Sequence, residues 1–116
     1  MNNADNRWIG VDLDGTLATT TEDMGIGEPV PEMVARVRRW LAEGWKVKIF
    51  TARASNPAEM PKVRAWLLAN KLPDLEITNV KDYAMVELWD DRAVEVIRNT
   101  GRPANLVRRL VSPTGP

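Results

Sequence analysis

Two short apolar runs, Trp8-Ile9-Gly10-Val11 and Trp45-Lys46-Val47-Lys48-Ile49-Phe50, bracket a segment that opens on Pro29 and Pro31. That segment carries Met33, Val37, Trp40 and Leu41 at three-to-four spacing, with Gly44 just past its end. Such spacing makes one apolar stripe of a helix; proline suits its first turn and glycine its stop. Strand, helix and strand in this order pair in parallel, because the chain must cross back over the sheet, and the crossover is right-handed. Both strands then end at the same edge. Asp12-Leu13-Asp14-Gly15-Thr16-Leu17, after a first strand from Arg7 to about Asp12, therefore meets Thr51-Ala52-Arg53, after the second.

In an extended segment residues i and i+2 point the same way, so Asp12 and Asp14 face one site while Leu13 packs inward. Gly15 lets the backbone turn at once. Residues 15–29 show little hydrophobic periodicity and read as a loop or short hairpin over the acid pair, with Gly25 and Gly27 as hinges.

Further along, residues 55–70 predict a helix with Met60, Val63 and Leu67 inward. Pro61 fits if the helix starts near Pro57 or later. Leu75-Glu76-Ile77-Thr78-Asn79-Val80 reads as a third strand, followed by Lys81-Asp82-Tyr83 in a loop, and Met85-Val86-Glu87-Leu88-Trp89 as a fourth strand ending in Asp90-Asp91. Val94-Glu95-Val96-Ile97 lies between helix and strand, with β-branching and the following Asn99-Thr100-Gly101 turn favouring a short strand. Residues 103–111 predict a last helix with Leu106, Val107, Leu110 and Val111 on one side.

The 116 residues suit one domain over 1–116, with 1–6 and 112–116 as disordered tails. Sixteen basic and sixteen acidic side chains cancel, so the balance points to neither nucleic acid nor a membrane surface. Arg36, Arg38 and Arg39 are expected on a solvated helix face. No run of about 18 apolar residues and no leader pattern occurs, so a cytoplasmic protein without membrane partners is expected. The sequence has no cysteine and no histidine. Thiolate nucleophiles, disulfides, Ser-His triads and the usual zinc sites are thereby removed. An enzyme built from this inventory would rely on carboxylates, lysines or a hard cation such as Mg²⁺.

Ligands of open parallel sheets bind outside the carboxyl ends of the strands, where the strand order reverses. That edge is expected to collect Asp12, Asp14, Thr51, Lys81, Asp90 and Asp91: acids for a metal, and a hydroxyl and an ammonium for phosphate oxygens. A carboxylate beside Mg²⁺ can attack phosphorus because the cations neutralise the approaching anion.

Asp12-Leu13-Asp14-Gly15-Thr16-Leu17, a strand ending at Thr51, then Lys81, then Asp90-Asp91 resembles the four motifs of the haloacid dehalogenase superfamily of phosphotransferases, over about residues 7 to 101. The resemblance implies a single Rossmann-like α/β domain of three layers, a mostly parallel sheet flanked by helices. It implies Asp12 as nucleophile forming an aspartyl-phosphate, and Asp14 as acid and then base. Thr51 and Lys81 would hold the phosphoryl group, and Mg²⁺ would be bound by Asp12, the Asp14 carbonyl and Asp90, with Asp91 acting through water or its neighbours. Lys62 is the competing lysine, early in a helix. Arg53 either contacts substrate or caps the strand end through an ion pair, and Arg92 is less expected to reach substrate.

The spacings leave no room for a cap domain. Members of the superfamily without one tend to act on large substrates or to cover the site by oligomerising. Substrates that fit are small phosphate monoesters, nucleotides and phosphorylated nucleic-acid ends, since Asp-Asp-Arg also closes the last motif of phosphatase domains acting on 3′ ends. A non-catalytic or regulatory phosphoryl-binding module, or a structural partner keeping the fold, is the other class. Acids at a turn are often only caps, and the tryptophans are expected in core or helix–sheet packing, with a place at the pocket mouth as the alternative for one of Trp8, Trp45 and Trp89.

Overall fold

The computed structural model describes residues 5–105. Strand β1 (Trp8–Val11) is buried along its whole length, as a near-continuous apolar run in a central parallel strand should be. Helix α1 (Pro31–Ala42) follows, with Pro31 in the first turn and Met33, Val34 and Val37 buried. Gly44 ends it with φ 89°, a conformation free of strain only for glycine. Strand β2 (Lys46–Phe50) leads through two 3-10 turns, Ala52–Ser55 and Pro57–Glu59, into helix α2 (Met60–Ala69). The helix thus starts later than residue 55, and Pro61 falls in its first turn, where no amide is needed. Strands β3 (Glu76–Thr78) and β4 (Met85–Trp89) complete a parallel four-stranded sheet in the order β3-β2-β1-β4.

The chain is a compact α/β domain with a mostly parallel sheet flanked by helices. Ile9, Val11, Val47, Ile49 and Ile77 form one cluster with Met33, Val34 and Val37 of α1 and Val63 and Leu67 of α2. Both helices pack on this face because β1, β2 and β3 step in one direction through crossovers of the same hand. Fully burying a side chain of this kind contributes roughly 1.5–3 kcal/mol. On the opposite face Trp8 is buried, donating from Nε1 to Asp82 at 2.9 Å, with the Lys48 ammonium 4.4 Å from its ring and 3.3 Å from Glu76. Lys48, on β2, is itself buried. The connection from β3 to β4 has no helix.

Val96–Ile97 (β5) is a short strand, as its β-branching favours, paired antiparallel with Arg102–Pro103 (β6), whereas other expectations change. Pro103 therefore sits in a strand rather than opening a helix, because Asn99 and Gly101, at φ 66° and 73°, fold the chain back on itself. Positions 106–111 of the expected helix and the tails 1–4 and 112–116 lie outside the described residues. Asp5, expected in a frayed end, accepts from the Arg7 amide at 2.9 Å and pairs with its guanidinium. The arginine cluster of α1 lies on an exposed helix face as expected, with Arg38 and Arg39 exposed; Arg36, half-buried, lies 5.0 Å over Trp89 and pairs with Glu32, and Arg38 donates to the Asn70 carbonyl. Among the described residues, no helix is long and apolar enough to cross a membrane.

Candidate functional site

Register brings the strand ends together. Val11 pairs with Ile49 on one side and Trp89 on the other, so Asp12 and Asp90 follow at adjacent ends. The Asp12 amide donates to the Trp89 carbonyl at 2.9 Å, and the Thr51 amide to that of Thr78 at 2.9 Å. The chain steps from β1 to β2 to β3, then returns to the far side of β1, so the order reverses between β1 and β4, where such sheets bind ligands. A cavity of about 940 Å³ opens there, and Asp12, Asp14, Thr51, Arg53, Asp90 and Arg92 are in its lining.

Asp12, Asp90 and Asp91 offer one carboxylate oxygen each within 4.8 Å of one another, a group that could hold a metal ion. All-oxygen donors suit a hard divalent cation. Burial, repulsion from Asp90 and a hydrogen bond with Asp91 push the Asp12 carboxyl up to about 7. A cation among the three would relieve this repulsion.

Thr16 joins the first and last of these loops. Its hydroxyl lies 3.4 Å from Asp12 Oδ2 and from Asp91 Oδ1, and accepts from the Asp91 amide at 3.0 Å. Gly15 makes the approach possible: at φ 92°, a Cβ there would lie 2.5 Å from Asp91 Oδ2.

Asp14 is not in the carboxylate trio. Its two oxygens accept from Arg53 Nε and Nη2, both at 2.8 Å, a bidentate pair that matches the ion-pair expectation for Arg53. Arg53 also meets Glu59 at 2.5 Å and donates to the carbonyls of Met24 at 2.9 Å and Gly25 at 3.2 Å. Bonding to Asp14 above all raises the Arg53 guanidinium further above its ordinary value. Bonding to Lys62 and Arg53 lowers the Glu59 carboxyl.

Thr51 is buried, lines the cavity, and caps the following 3-10 turn by accepting from the Arg53 amide at 3.2 Å. Lys81 is brought to the loop after β3 but does not line the cavity, and is exposed. The strand ends two residues earlier than expected, at Thr78, whose hydroxyl accepts from the Val80 amide at 3.0 Å and turns the chain aside. Asn79 reaches the cavity instead. Lys62 is not in this lining either; its ammonium pairs with Glu59 at 3.1 Å.

Residues 15–29 do stand over the site as a hairpin-like flap. Thr19 donates from its amide to the Glu28 carbonyl at 2.8 Å, and Trp66 Nε1 donates to the Gly27 carbonyl at 2.8 Å. Thr20, Thr21, Met24 and Gly25 line the cavity, whereas none of Trp8, Trp45 and Trp89 does.

Sequence reasoning missed Glu59, Asn79 and the junction made by Thr16; Arg92, less expected to reach substrate, is in the cavity lining. Thr16 stood inside the motif next to Gly15; Glu59 gave no signal, since only the 3-10 turns bring it back to Arg53. Compared with protein-family models, curated proteins and solved structures, the chain matches none.

Proposed function

We propose that the protein is a Mg²⁺-dependent phosphohydrolase of the haloacid dehalogenase type, cleaving a phosphate monoester through an aspartyl-phosphate on Asp12. The observation that carries this reading is the convergence of Asp12, Asp90 and Asp91 within 4.8 Å at the point where strand order reverses. The reading brings with it a Rossmann-like three-layer architecture, to which the described residues contribute the sheet and the helices on one face.

When bound by Asp12, Asp90 and Asp91, Mg²⁺ would supply positive charge against the phosphoryl oxygens. Asp12 attacks phosphorus through a carboxylate oxygen, and the P–O bond to the leaving group breaks. Asp14 gives that oxygen a proton and later takes one from the water that hydrolyses the aspartyl-phosphate, regenerating the Asp12 carboxylate. Thr51 holds a phosphoryl oxygen through its hydroxyl. Arg53 and Arg92 are the cations of the cavity lining. Lys81, the lysine the resemblance offers for the phosphoryl group, is exposed and outside this lining. The substrate is a small phosphate ester, a nucleotide or a phosphorylated nucleic-acid end, and the protein works in the cytoplasm, with oligomerisation as a further cover for the site.

A second reading, a phosphoryl-binding module without turnover, is favoured by one observation: both oxygens of Asp14 are taken up by Arg53. Hydrolysis of an aryl phosphate, with and without Mg²⁺ and chelator, separates the two. Mg²⁺-dependent release lost in Asp12→Asn supports the enzyme, activity surviving in Asp12→Asn removes Asp12 as nucleophile, and phosphate binding without turnover across a broad ester panel supports the module.

A further inference from the structure

The guanidinium of Arg53 sits at a junction no other side chain of the site occupies. On one side it holds both oxygens of Asp14, on another Glu59, and on a third the carbonyls of Met24 and Gly25 at the tip of the flap. Met24 adopts φ 67°, a left-handed conformation costly for methionine, at one of the two carbonyls that Arg53 fixes. Arg53 and Glu59, with Met24 and Gly25, also stand between the 940 Å³ cavity and a second of about 430 Å³ against Lys62 and Trp66, lining both. Three elements from separate parts of the chain thus depend on one planar fork of donors.

We propose that Arg53 is a positioning residue that couples the flap to Asp14, holding the flap down only while it holds the carboxylate. Carrying a proton to a leaving group competes with Arg53 for the Asp14 oxygens, and in the coupled change the bond from Nη2 to Oδ1 gives way. Because Nη2 also serves the Met24 and Gly25 carbonyls, its release lets the guanidinium pivot on its Glu59 bond and takes their donor away with it. Opening of the flap and availability of Asp14 are then one event. Glu59 keeps Arg53 in place through the change, since its bond to Nη1 uses neither nitrogen that faces Asp14.

The consequence for turnover rests on the reading of Asp14 as the proton-transfer group, whereas the coupling itself does not. Amide hydrogen exchange over residues 19–28 tests the coupling without any activity. Arg53→Lys keeps a cation but loses the fork, and Asp14→Asn alters the flap only through Arg53. Both should speed flap exchange about fivefold or more, the scale of a typical coupling between sites, while exchange across β1 and β2 stays unchanged. Unchanged flap exchange in either variant overturns the proposal. In the hydrolysis assay, Arg53→Lys should lower kcat more than it raises KM, and an effect on KM alone also overturns it. Absence of hydrolysis by the wild-type protein would refute the enzymatic reading and leave the exchange comparison to judge the coupling.

Discussion

Replacing Asp12 by asparagine should stabilise the metal-free protein while abolishing its response to Mg²⁺. The Asp12 carboxyl is carried from an ordinary 3.8 to about 7, first by burial and then by Asp90 and Asp91. At about 1.36 kcal/mol per tenfold in proton affinity, that is roughly 4 kcal/mol. Asp12 is half-buried and Asp91 exposed, so solvent screens the repulsion and about 1–2 kcal/mol is the realistic size. Because the folded-state value is raised, the contribution is fully present below pH 3.8 and is lost as pH rises through 7. The metal-free wild type should therefore weaken between pH 4 and 8, and Asp12→Asn should remove most of that slope. At pH 8 in chelator the variant should melt higher, at roughly 4–8 °C for each kcal/mol in a domain of this size. Saturating Mg²⁺ reverses the order, since a ligand at a hundred times its Kd adds about 2.7 kcal/mol to the protein that binds it. Thermal melts of both proteins at pH 5 and 8, with chelator and with Mg²⁺, provide the check. A variant that melts no higher than wild type at pH 8 in chelator refutes the crowding argument, and equal shifts with Mg²⁺ refute the metal site.

Gly15→Ala should cost about 1–2 kcal/mol from its left-handed backbone alone and displace Asp91, whose carboxylate lies where the new Cβ would be. A denaturant midpoint and a Mg²⁺ titration should both move, and unchanged metal affinity would detach Asp91 from the site. Lys48→Met should change stability by less than about 1 kcal/mol, because its partner Glu76 is exposed and methionine can pack on Trp8. Lys48→Ala should cost more by leaving that packing empty; equal losses in the two variants would show that the ion pair, and not the stem, is what matters.

The order of elements through β4, and the gathering of Asp12, Thr51 and Asp90 at one edge, follow from the sequence alone. Strand length, helical spacing and the obligatory parallel crossover fix them before any contact is known. Gly15 and Gly44 were legible for the same reason, since a turn or a stop at those points demands a left-handed residue. Other features depended on tertiary placement. Lys48 alternates like a solvated residue, yet Trp8 and Glu76 on neighbouring strands bury it. Lys81 has the right place in the motif, but Thr78 turns the backbone away before the lysine is reached. For Arg53 an ion pair at the strand end was one of two expectations, with no partner specified; the fold supplies Asp14 from 39 residues away. That the same guanidinium also grips Glu59 and the flap depends on two 3-10 turns and a strained Met24, which no periodicity reports. A pattern of spacings specifies which strand ends share an edge, because backbone pairing is regular. Which charges meet there is decided by side chains arriving from irregular segments, and only the folded chain brings those into range.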